Sequence, residues 1–82
     1  MATRYLVANI ENIRKVKAEC TAARFKWASE KKSVLCDLFT ASAIIAVYDA
    51  LNDENKAKVE RMVAASPMLF SKVAGFCFEH VK

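Results

Sequence analysis

An all-α domain, a small bundle of about four helices led by a long amphipathic N-terminal helix, is the fold class this sequence predicts. Three observations predict it. A single Gly and a single Pro in 82 residues leave little material for β-turns. Leu6, Ile13, Cys20, Trp27 and Val34 recur at seven-residue spacing, which is half of a coiled-coil seam. Cap residues also punctuate the second half at helical intervals.

Taken in order, helix one is expected from an N-cap at Thr3 to about Lys32, with Val16 and Ala23 beside the apolar row. Asn9 and Glu30 interrupt the other half of the seam, so the stripe is narrow and the helix is no long zipper. Unbroken, such a helix would measure about 45 Å at ~1.5 Å per residue. A chain of this size folds into a body roughly 30 Å across. The helix therefore outruns its own domain and needs a partner, or it breaks in the polar stretch Ser29–Ser33. Thr40 is expected to cap helix two, Ala41–Leu51, whose Ile44, Ile45, Val47 and Tyr48 make it the most buried element. Asn52 or Asp53 caps helix three, which ends near Ala65. Ser66-Pro67 then reads as an N-cap followed by Pro at the first helical position. Helix four turns Phe70, Val73, Ala74, Cys77 and Val81 inward. Residues 1–82 form one helical domain without repeat or linker.

Charge is unevenly placed. Residues 1–39 hold eight Lys/Arg against four acids, whereas residues 40–82 hold five of each, so the first half carries all of the +4. Arg14, Lys17, Arg24 and Lys31, interleaved with Phe25 and Trp27, are the candidate partner-binding residues. Lys17, Arg24 and Lys31 share one heptad row beside the apolar seam, where basic stems flank helix interfaces. Phe25 and Trp27 would lie about 160° apart on a helix at ~100° per residue, so one of them is expected at the surface as an anchor.

Enzymatic readings find little support. One glycine excludes a phosphate-cradling loop and a dinucleotide fingerprint. Cys77 and His80 share a helix face, but Cys20 and Cys36 are isolated, so no metal set or nucleophile pair assembles. Asp53 and Glu54 read as capping charge. Helices two and three make a poor helix-turn-helix, because the second opens on those two acids. No cofactor and no small-molecule substrate are expected. Three widely spaced cysteines and the longest nearly apolar run, Ala41–Tyr48, point to a cytoplasmic protein without membrane span or signal peptide.

The stretch Thr40–Val63, TASAIIAVYDALNDENKAKVERMV, resembles segments of small uncharacterised bacteriophage-encoded helical proteins. The resemblance covers less than a third of the chain and supplies no catalytic residue. It implies a protein that binds, and in some cases inhibits, a host or phage protein in the host cytoplasm. Sequence and resemblance together predict a non-enzymatic interaction protein with a protein partner, which self-association would extend to a homo-oligomer. The alternative is a nucleic-acid-binding accessory protein using the same basic helix.

Overall fold

The first half of the chain is not one helix. A computed structural model describes residues 4–28 and 30–80 and has seven elements: β1 Tyr5–Val7, α1 Ile10–Glu19, β2 Ala23–Trp27, β3 Glu30–Cys36, α2 Leu38–Ala50, α3 Asp53–Ala65 and α4 Pro67–His80. Four helices accompany a three-stranded mixed sheet, so the fold is α/β and the all-α helical bundle is overturned. The N-cap expected at Thr3 lies outside the described residues, as does Val81.

Local chemistry explains where the expected long helix stops. Asn9 starts α1, its side chain accepting the Asn12 N–H at 2.7 Å. Ile10, Ile13 and Val16 form the buried stripe. Cys20 then enters the left-handed region at φ 52°, and its N–H donates to the Lys17 carbonyl. That is the geometry of a helix C-terminus usually served by Gly or Asn. Beyond it the period changes from 3.6 to 2. Ala23, Phe25 and Trp27 are buried, while Lys26 is exposed and Arg24 half-buried.

β2 is the central strand. β1 pairs with it in parallel, Tyr5 with Arg24 and Val7 with Lys26, and α1 supplies the crossover that parallel strands require. β3 pairs with it antiparallel, Arg24 with Leu35 and Phe25 with Val34, with a register shift between Lys26 and Trp27. The seven-residue row is thus a coincidence of spacing. Its members fall in β1, α1, the α1 cap, β2 and β3. Residues 30–33 of the polar stretch Ser29–Ser33 begin β3 instead of ending a helix, and Ser29 lies outside the described residues.

The second half follows its caps. Asp37, not Thr40, caps α2, its carboxylate accepting the Thr40 N–H at 2.8 Å. These hydrogen bonds hold the Asp37 carboxyl below its ordinary range. Asn52 accepts the Asn55 N–H at 2.9 Å, and Ser66 Oγ accepts the Leu69 N–H at 3.2 Å ahead of Pro67. α2 packs on α1 and on α4, α3 packs on α4, and α2 and α3 touch little.

Phe70 of α4 joins the two halves. Its ring meets Phe25 edge-on at 5.6 Å and Trp27 at 5.7 Å, near the spacing aromatic pairs prefer. Trp27 Nε1 donates to the Val63 carbonyl at 2.9 Å. The residue four positions on from Val63 is Pro67, which has no N–H. The indole therefore supplies a donor to a buried carbonyl in the last turn of α3, a position the helix leaves unpaired.

Candidate functional site: the open face of the sheet

Register and alternation sort the strand residues onto two faces. Leu6, Ala23, Phe25, Val34 and Cys36 face the helices. Tyr5, Val7, Arg24, Lys26, Ser33 and Leu35 share the opposite face. Tyr5, Val7 and Leu35 are 54%, 58% and 53% exposed, so among the described residues no element covers this face. Three large apolar residues thus flank two cations on the central strand. Arg24 is held in place by Ser33, its Nε donating to Ser33 Oγ at 3.1 Å. Among the described residues neither Arg24 nor Lys26 makes an ion pair.

At one end of the face Arg4 pairs with Glu19 and donates through Nη2 to the Thr21 carbonyl at 2.7 Å. This ties β1 to the end of α1. Asn12 Nδ2 donates to the Val7 carbonyl at 2.7 Å and fixes the start of the crossover.

The candidate residues expected to act together are dispersed. Lys17 is exposed on the last turn of α1, and Lys31 is exposed on β3. Arg14 is engaged with Asp49 of α2, Nη2 to Oδ1 at 2.8 Å and Nη1 to Oδ2 at 3.3 Å. That fork raises the Arg14 pKa and lowers that of Asp49. Of the six, only Arg24 is placed on the open face by the sheet register. Phe25 is fully buried and Trp27 nearly so. The surface anchor expected of one of them is absent, because residues two apart on a strand point the same way. Val7 and Leu35 are not among the residues the sequence singles out. Their signal was the alternation of strands, which a helical reading hides.

Other chemistry-bearing groups stay apart. Cys77 is buried whereas His80 is exposed, its Nδ1 hydrogen-bonded with the Phe76 carbonyl at 3.0 Å and its ring against Phe76. The Cys36 thiol is pushed up to about 12, first by burial and then by the Asp37 charge, and burial raises Cys77 too. Both are therefore protonated at neutral pH and poor nucleophiles. Among the described residues no group of three or more His, Cys, Asp or Glu is placed to hold a metal, and no helix is long and apolar enough to cross a membrane. Comparison of the chain with protein-family models, curated proteins and solved structures gives no match.

Proposed function

We propose that the chain is a non-enzymatic binding module that presents the open sheet face to a protein partner. The observation that carries this reading is the grouping of Tyr5, Val7 and Leu35, each more than half exposed, around Arg24 and Lys26. An uncovered apolar cluster with unpaired cations suits a partner whose apolar residues are ringed by carboxylates. The resemblance of Thr40–Val63 to bacteriophage proteins directs the search to host and phage proteins in the host cytoplasm, where occupying a surface would inhibit. The test is affinity capture with the wild-type chain beside the V7D and L35D variants, whose circular dichroism must match wild type. A protein held by wild type and lost by both variants supports the reading. Equal capture by all three chains sinks it.

Nucleic acid is the second reading, favoured by Tyr5 beside two unpaired cations on an exposed sheet. Sheets that bind single strands commonly stack two or three bases on aromatic side chains. This face has one, which is why the protein partner is preferred. Fluorescence anisotropy with a single-stranded oligonucleotide separates the two. Affinity that falls steeply with salt and is lost in K26E supports nucleic acid.

A further inference from the structure

Between α2, α3 and α4 lies a cavity of about 360 Å³, within the range of small-molecule sites. It exists because α4 packs against both other helices while α2 and α3 barely meet, leaving a cleft floored by Val73 and Cys77. Its walls are apolar side chains, including Val47, Val59, Met62 and Phe76. At ~30 Å³ per water-sized unit the volume corresponds to about a dozen such units, the bulk of a medium-length alkyl chain. Lys72 lines the cavity, is exposed, and makes no ion pair among the described residues. Lys56 sets a second ammonium over the Tyr48 ring, 5.6 Å from its centroid, and Tyr48 also lines the cavity. Tyr48 also borders a neighbouring groove, where the Glu60 carboxylate lies beside its hydroxyl.

We propose that this cleft binds a free medium-chain alkyl carboxylate, the chain lying between α2 and α3 and the carboxylate meeting the Lys72 ammonium at the rim. An apolar interior with Lys72 in its lining matches a ligand with an aliphatic body and one anionic end. It disfavours a cationic amphiphile, which would bring like charge to Lys72. The site is separate from the open sheet face and does not depend on the reading given to that face.

The test uses the full chain carrying C20S, which removes the exposed thiol, and decanoate below its micellar concentration. Calorimetry is expected to give saturable one-to-one binding of decanoate. In K72M the affinity falls roughly tenfold to a hundredfold, as loss of a hydrogen bond to a charged group requires. Decanol binding is unchanged by K72M, and decylammonium binds more weakly than decanoate. Absence of saturable decanoate binding overturns the proposal. So does undiminished affinity in K72M or decylammonium binding as tight as decanoate.

Discussion

Replacing Trp27 by 3-benzothienylalanine keeps the ring system and exchanges its N–H for sulfur, so it removes one donor and little else. In the wild-type fold that donor serves the Val63 carbonyl at 2.9 Å. No chain amide can take over, since Pro67 lacks an N–H and Ser66 leaves the helix in an extended conformation at φ −163°. A buried carbonyl left unpaired costs about 1–3 kcal/mol. A domain of this length has roughly 4–12 kcal/mol of stability at ~0.05–0.15 kcal/mol per residue, so the loss is a substantial fraction. With a urea slope of about 1 kcal/mol/M, the unfolding midpoint falls by about 1–3 M at unchanged slope. Trp27→Phe removes the same donor and also opens space beside Phe70, for a combined loss of roughly 2–4 kcal/mol. Urea titration followed by circular dichroism reads both variants. An isostere whose midpoint stays within about 0.3 M of wild type would refute the assignment of this bond as the seam between sheet and helices.

Cys20→Gly is expected to stabilise by about 0.5–1 kcal/mol, because glycine adopts the left-handed cap without steric cost; a lower thermal midpoint than wild type contradicts it. Asp37→Ala should cost about 1 kcal/mol of stability at neutral pH. The folded Asp37 pKa is depressed, so its contribution is complete above the unfolded value of ~3.9 and is lost as pH falls through the lower folded value. Asp37→Asn keeps the cap without that titration, and its stability should change less than that of wild type between about pH 5 and about pH 2. In the native protein a thiol-reactive dye should label Cys20 quickly and Cys36 and Cys77 slowly, with all three equal in denaturant; rapid native labelling of two thiols would show that one core position is misplaced.

The second half of the fold was legible because its punctuation is local. Asn52 and Ser66-Pro67 act on amides three residues away, and each begins a helix where the residues say it should. The first half was misread for want of breakers. Cys20 occupies a cap where Gly or Asn is usual, and the β2–β3 connection through residues 28 and 29 has no Gly or Asn to mark a hairpin. Sheet pairing is also non-local, so nothing within one segment reports it. One contradiction in the helical reading did contain the answer. Phe25 and Trp27 could not share a core on a helix, yet two residues apart on a strand they must. Exposure of Lys17 and Lys31 followed from their chemistry. The face on which Arg24 meets Tyr5 and Leu35 required the register.

Among the described residues the sheet ends on both sides without a further strand, at β1 and at β3. Unpaired strand edges invite neighbouring molecules to join the ladder, and charged residues, lysine above all, along with bulges are the usual defence. Lys31 and Lys32 are exposed on β3, near the irregularity at Lys26/Trp27. The net charge of +4 therefore does a second job, holding copies of the molecule apart by mutual repulsion. Salt at about 1 M shortens the range of that repulsion to ~3 Å. Concentrated salt should therefore drive the chain towards edge-to-edge assembly before it disturbs the fold.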